Sequence, residues 1–403
     1  MNAPMPPCVL DASQAAESVH QLWRGSIVPE LQHYIAIPAK SPAFDGQWSA
    51  HGHLDAVVRR AADWVLAQRV PGLTLEVLCL QTPDGAPRTP VLFFELPACG
   101  GANGMPAPAS GETVVMYGHL DKQPEFSGWR SDLGPWTPKL VDGKLYGRGG
   151  ADDGYAIYAS IAAIQALKAQ GAAHPRIVGL IETCEESGSY DLLPYLDALR
   201  TRLGTVGLVI CLDSGAGNYD QLWLTTSLRG MASGTLRVDV LTEGVHSGDA
   251  SGVVPSSFRI LRHVLDRLEN SATGHLLPSN FHCEIPVDRL AQAQATAAIL
   301  GDEVYKRFPW AHHDCGGSTA FALPTTADPV EALLQRTWRP TLSVTGAEGL
   351  PTLENAGNVL RPYTAFKLSL RLPPTVQADL AVQELKTLLE DNAPYQAKVT
   401  FEP

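Results

Sequence analysis

The rhythm of apolar positions along this chain changes several times, and the changes mark out an α/β protein. From Ala15 to Ile37, and again from Gln47 to Arg69, apolar residues recur at the spacing of one-sided helices that cover a sheet. The stretch Ile37-Pro38-Ala39-Lys40-Ser41-Pro42 between them breaks the pattern with its prolines. Three short runs without polar alternation follow: Thr113–Tyr117, Ile177–Ile181 and Val206–Ile210. Runs of this kind suit strands buried on both faces of a mainly parallel sheet. Tyr155–Ala169, uncharged until Lys168, reads as the buried crossover helix between the first two.

After Leu228 the pattern becomes that of a second domain. Gly234–Val240 alternates as a half-buried strand, and Ser256–Leu268 is an amphipathic helix. A loop-rich, partly helical insertion spans about 270–339. Strand-like Thr341–Thr345 and Ala365–Leu372, a helix over Thr375–Asn392 and a last strand Ala397–Phe401 complete the chain. Without the insertion the order is β-α-β-β-α-β, a two-layer α+β sandwich. The expected division is therefore 1–228 and 229–403.

Polar residues fall where these strands end. His119 follows the first buried run, Glu185 and Glu186 the second, and Asp213 the third. In open α/β sheets the carboxyl edge is where ligands bind. Asp152 is expected at the N-terminus of the crossover helix, where a carboxylate is favoured.

Composition narrows the partners. With 403 residues, 45% hydrophobic and 18% charged, the chain is long enough for two domains with sizeable cores. A formal charge of -12 and the lack of any Lys/Arg cluster argue against nucleic acid. Seven scattered cysteines without C-x-x-C fit free thiols in a reducing compartment. The first 26 residues lack a basic segment followed by an apolar core, and no run approaches the ~20 apolar residues that span a bilayer. The sequence reads as cytoplasmic, with no membrane partner.

Taken singly, the polar motifs are ordinary. A His-x-Asp pattern most often satisfies core hydrogen bonds, an Asp pair caps helices, and Glu-Glu forms solvated turns. Together they supply what a two-metal hydrolytic centre needs. Imidazole ligates zinc, a nearby carboxylate such as Asp121 fixes its shell, and one carboxylate can bridge two cations. Adjacent Glu185 and Glu186 diverge, so one can bind metal and the other act as general base. The Gly147/Gly149/Gly150 run lacks the continuation of a phosphate loop, and neither G-x-S-x-G nor H-E-x-x-H occurs. His312-His313-Asp314 reads as polar residues on the surface, because successive side chains diverge.

The chain resembles the M20 metallopeptidases, and the carnosinase-type dipeptidase branch in particular. The resemblance runs through Gly118-His119-Leu120-Asp121, Gly128-Trp129, Gly134-Pro135-Trp136, Asp142–Gly149, Glu185–Ser189, Leu228-Arg229-Gly230, Val245–Gly248, Leu342–Gly346 and Leu368–Pro373. It implies two divalent metal ions, Zn with Mn or Co as substitutes. Asp152 would bridge them, with His119 and Asp213 on one ion and Glu186 on the other. Glu185 would be the base that activates a bridging water. The second domain would act as a lid and homodimerisation domain, with His246 stabilising the oxyanion in the partner's site and Arg371 holding a substrate carboxylate. A cis Asp152-Asp153 peptide is also implied.

Two departures accompany the resemblance. Gly154-Tyr155 stands where many relatives have Lys-Gly, and no histidine follows His313 to complete the second metal site. The chain is thus expected to hold an incomplete second site, as a shortened form whose sheet has an exposed face. The expected activity is hydrolysis of dipeptides or short peptides bearing a free carboxylate. The alternatives are an N-acyl amino acid deacylase or desuccinylase with the same centre, and a truncated, non-catalytic metal-binding dimerising protein.

Overall fold

The computed structural model describes residues 10–102, 106–108, 111–315 and 318–403. The chain forms two compact units, Met1–Gly215 and Ala216–Pro403.

The first unit is built on a five-stranded sheet: β1 (Thr74–Leu78), β2 (Val91–Leu96), β3 (Thr113–His119), β6 (Arg176–Glu182) and β7 (Val206–Cys211), with a small hairpin, β4 (Lys139–Val141) and β5 (Lys144–Tyr146), outside it. The spatial order is β1-β2-β6-β3-β7. β3 pairs in parallel with both β6 and β7, β2 runs antiparallel to β6, and β1 runs antiparallel to β2. Four of the five strands therefore point the same way, as a mainly parallel sheet requires.

Helices α1 (Ala12–Leu22), α2 (Val28–Ala36), α3 (His53–Ala67), α4 (Ala156–Ala169) and α5 (Leu192–Leu203) cover this sheet. The alternation along β2 shows how. Leu92, Phe94 and Leu96 join Leu31, Val57, Ile157 and Ile161 on one side. Val91 and Phe93 join Tyr195 and Leu199 of α5 on the other. Two cores thus sandwich one sheet, and each fully buried large apolar side chain contributes on the order of 1.5–3 kcal/mol.

Several elements differ from the sequence pattern. The first helical stretch is two helices joined by a wide turn over Trp23–Ile27, and Gly52, at φ 68°, separates a short turn at Trp48–His51 from α3. β1 and β2 escaped the pattern altogether. β7 does not have the two buried faces its composition suggested: it is the edge strand, paired with β3, and Val206, Leu208 and Val209 are exposed. α4 begins at Ala156, so Asp152 precedes the helix in non-helical backbone (φ −129°, ψ 88°) and does not cap it.

The second unit carries an antiparallel four-stranded sheet of β8 (Gly230–Asp239), β9 (Thr341–Glu348), β10 (Tyr363–Leu372) and β11 (Lys398–Glu402), ordered β9-β10-β8-β11. Helices α6 (Ser257–Leu265) and α9 (Ala378–Glu390) pack on one face over Leu236, Val238, Leu368, Leu370 and Phe401. Between α6 and β9 lie α7 (Val287–Leu300), α8 (Pro329–Thr337) and a hairpin containing His312. The side chains of His313 and Asp314 lie outside the description, as does Cys8. Cys79, Cys99, Cys184, Cys211 and Cys283 are free thiols. Among the described residues no helix is long and apolar enough to cross a membrane.

Candidate metal centre

The carboxyl edge of the first unit's sheet gathers His119, Asp121, Asp152, Glu185, Glu186 and Asp213. His119 is the last residue of β3 and stands in register with Glu182 of β6. Glu185 and Glu186 occupy the tight turn just beyond β6, and Asp213 follows β7 by two residues. Asp152 comes from the loop between the β4/β5 hairpin and α4, and its peptide bond to Asp153 is cis.

His119 is completely buried. Its Nδ1 lies 3.1 Å from the backbone oxygen of Asp121, an acceptor for the Nδ1–H that turns Nε2 toward the other ligands. Nε2 lies 3.4 Å from Asp152 Oδ1, 3.6 Å from Asp213 Oδ2 and 3.9 Å from Glu185 Oε2. It has no hydrogen-bond partner among the described residues, and neither does Glu186 Oε1. A buried imidazole nitrogen facing three carboxylates is a costly arrangement unless a cation completes it. His119, Asp152 and Asp213, and likewise His119, Glu185 and Glu186, can bring one ligand atom each within 4.8 Å of one another. The donors are one imidazole and four carboxylates, a mixed N/O set that suits a divalent ion such as Zn or Mn.

The titration behaviour matches this crowding. Burial alone depresses His119, but the carboxylates of Asp121, Asp152 and Asp213 outweigh it and hold its pKa far above the ordinary range. The neighbouring His119 imidazole keeps Asp152 low. Burial, reinforced by Asp152, pushes Glu186 up to about 7, and burial raises Glu185. Asp153, buried beside the site, is pushed up to about 7 by the same cause. A cation among these groups would favour the ionised carboxylates and the neutral imidazole, and so reverse the upward shifts.

Asp121 does not spend its carboxylate on His119 alone. Oδ1 accepts the Glu185 amide at 3.2 Å and Oδ2 accepts the Glu186 amide at 2.9 Å, which fixes the glutamate turn. Gln123 Nε2 donates to Glu186 Oε2 and aims that side chain. Asp153 Oδ2 accepts the His119 backbone amide at 3.3 Å. Gln123 did not stand out in the sequence, and Asp153 did so only as the second member of the Asp pair.

The floor beneath Asp152 comes from α2. Tyr34 packs so close to Gly154 that a Cβ there would lie 2.1 Å from the Tyr34 ring, and the Tyr34 hydroxyl donates to Leu120 O at 3.0 Å. Lys122 is fully buried, and its ammonium donates at 2.7 Å to both Tyr34 O and Ile37 O at the C-terminal end of α2, carbonyls that also accept the Ile37 and Ala39 amides. The stem of Lys122 lies under Gly149, where a Cβ would approach it to 2.8 Å. These glycines serve close packing beneath the Asp152 loop. Gly154, one of the departures noted in the sequence, is the residue Tyr34 demands.

The other two candidates lie in the second unit. His246 is exposed, and its Nδ1 accepts the Gly248 amide at 3.1 Å. Arg371 is exposed on the sheet face opposite the helices, between Thr341 and Met231 on its neighbouring strands.

A buried His–carboxylate cluster at the carboxyl edge of an α/β sheet, joined in one chain to an α+β unit, is an arrangement suited to a hydrolase that uses metal ions. The profile described as "Peptidase family M20/M25/M40" matches residues 115–388, and the chain belongs to that family of metallopeptidases. It is 27% identical over 397 residues to the Beta-Ala-His dipeptidase of Homo sapiens, covering 96% of this chain and 72% of the human protein. It is 27% identical over 290 residues to the Cysteinylglycine-S-conjugate dipeptidase of Corynebacterium striatum, covering 71% of this chain and 59% of that protein. Human carnosine dipeptidase 1 superposes with a TM-score of 0.69 at 23% identity, over 98% of this chain and 80% of that structure. Dug1p of Saccharomyces cerevisiae gives 0.68 at 21% identity, over 97% and 79%. At these identities the two structures speak for the fold.

Proposed function

We propose that this chain hydrolyses the amide bond of dipeptides or other short peptides with a free carboxylate, using two divalent ions, Zn with Mn or Co as substitutes. The observation that carries the reading is the buried, unpartnered Nε2 of His119 facing the carboxylates of Asp152, Asp213 and Glu185. His119, Asp152 and Asp213 would hold one ion. Glu186 would serve the second, with Asp152 shared between them. Bound there, the ions would supply Lewis acidity toward the scissile carbonyl and lower the pKa of water.

The remaining steps belong to the chain. Asp121 holds the turn that presents Glu185, and the half-buried Glu185 carboxylate takes the proton of the attacking water and returns it to the leaving amine nitrogen. Burial raises the pKa of Glu185, which brings it closer to that of a base that must also act as an acid. The dipeptidase names of the relatives support the peptide substrate. Arg371, a guanidinium exposed on an open sheet face, would bind the substrate carboxylate. His246 would act in the partner subunit of a homodimer formed through the second unit.

The test is turnover by metal-stripped protein reloaded with Zn or Mn, on a panel of dipeptides beside N-acetyl and N-succinyl amino acids. The reading expects dipeptides to be cleaved and the acyl amino acids to be poor substrates. The reverse preference, or turnover of neither, would overturn it.

A further inference from the structure

The three segments that deliver His119, Asp152 and Asp213 are held to very different degrees. His119 ends a strand paired on both sides, the next residue donates its amide to Glu182 O at 2.9 Å, and Tyr34 grips the Leu120 carbonyl. Asp213 follows the edge strand β7, whose Val206, Leu208 and Val209 are exposed and give its loop little packing. One side chain reaches that loop from the Asp152 segment. The hydroxyl of Tyr155 donates to the carbonyl oxygen of Leu212, the residue before Asp213. That carbonyl also takes the Ser214 amide at 2.8 Å, so it is the point about which the Asp213 turn is fixed.

We propose that Tyr155 is a positioning residue of the metal centre, which through Leu212 sets the separation of Asp213 from Asp152. The inference rests on the metal-centre reading above. Tyr155 sits three residues after Asp152, at the start of α4, so a single phenol couples the two segments that bring carboxylates to His119 Nε2. Carboxylate ligation of zinc works over about 2.0–2.2 Å, and a loop free to drift by an ångström loses it. The Tyr155 hydroxyl bonds a backbone carbonyl and not a ligand carboxylate. Its effect passes through the backbone of Leu212.

Tyr155→Phe keeps the ring and removes the hydroxyl, and it tests the proposal with the metal alone. Metal-free wild type, Tyr155→Phe and His119→Ala are titrated with Co²⁺, read by visible absorption, and with Zn²⁺, read by calorimetry. The Tm shift on adding metal is taken within each variant, so that any change in metal-free stability cancels. The proposal expects Tyr155→Phe to bind one ion about 10–100-fold more weakly, the usual effect of losing an outer-shell support, and to show an altered Co²⁺ band. Affinity within about twofold of wild type with a superimposable band, while His119→Ala has lost binding, would overturn this inference and leave the centre standing. Wild-type binding by His119→Ala would overturn both.

Discussion

Asp121 takes the Glu186 amide at 2.9 Å on one carboxylate oxygen and the Glu185 amide at 3.2 Å on the other, from a position of complete burial. Its own backbone oxygen meanwhile orients the His119 ring. One residue thus sets both the imidazole and the turn that carries the proposed base. Asp121→Asn is isosteric but turns an NH₂ group toward one of those amides. It is expected to lower kcat/KM and metal affinity by about 10–100-fold with little change in fold. Steady-state kinetics and metal titration check this, and unchanged values would show that the turn holds itself.

Metal removal should be visible in stability. Among the described residues His119 Nε2 and Glu186 Oε1 have no hydrogen-bond partner, and several carboxylates share a small space. An ion at about 100 times its Kd adds about 2.7 kcal/mol. Wild-type Tm is expected to fall in a chelator and recover with Zn, whereas His119→Ala should melt at the same temperature under both conditions.

Gly154→Ala would place a methyl group 2.1 Å from the buried Tyr34 ring, with little room to yield. Overpacking of this kind costs about 1–3 kcal/mol. Urea unfolding is expected to show a loss of that size, and wild-type stability in the variant would mean that Tyr34 can move aside.

Lys122→Met removes the buried hydrogen bonds from its ammonium to the Tyr34 and Ile37 carbonyls, and a loss of about 1–3 kcal/mol is expected. The loss should depend on pH. Burial holds Lys122 well below its ordinary 10.5, so between the folded and unfolded values the unfolded chain binds more protons. Wild-type stability relative to Lys122→Met therefore rises with pH through that window and is greatest above 10.5. A difference that is flat with pH would contradict this account of Lys122.

The sequence revealed the centre wherever an apolar run ended on a chemical group: His119, Glu185, Glu186 and Asp213 each follow a strand core that could be recognised by composition. It did not reveal what lies beneath. Tyr34 belongs to an N-terminal helix whose periodicity says only that one side is buried, and the burial of Lys122 reverses what its charge suggests. β1 and β2 were missed, the first because it is short and only half-buried, the second because its six residues sit in a proline-rich setting. β7 was misread because an apolar run does not distinguish a central strand from an edge strand. That distinction depends on which strands pair.

The central claim is that His119 and its carboxylates hold the metal with which Glu185 cleaves a peptide bond. The most direct measurement is dipeptide hydrolysis by wild type and Glu185→Gln, each stripped of metal and then reloaded with Zn or Mn, with bound metal counted in the same samples. The account predicts hydrolysis in reloaded wild type alone, and a Glu185→Gln protein that binds metal normally yet turns over about 10²–10⁴-fold more slowly. Hydrolysis by stripped wild type, or wild-type turnover by Glu185→Gln, would contradict it.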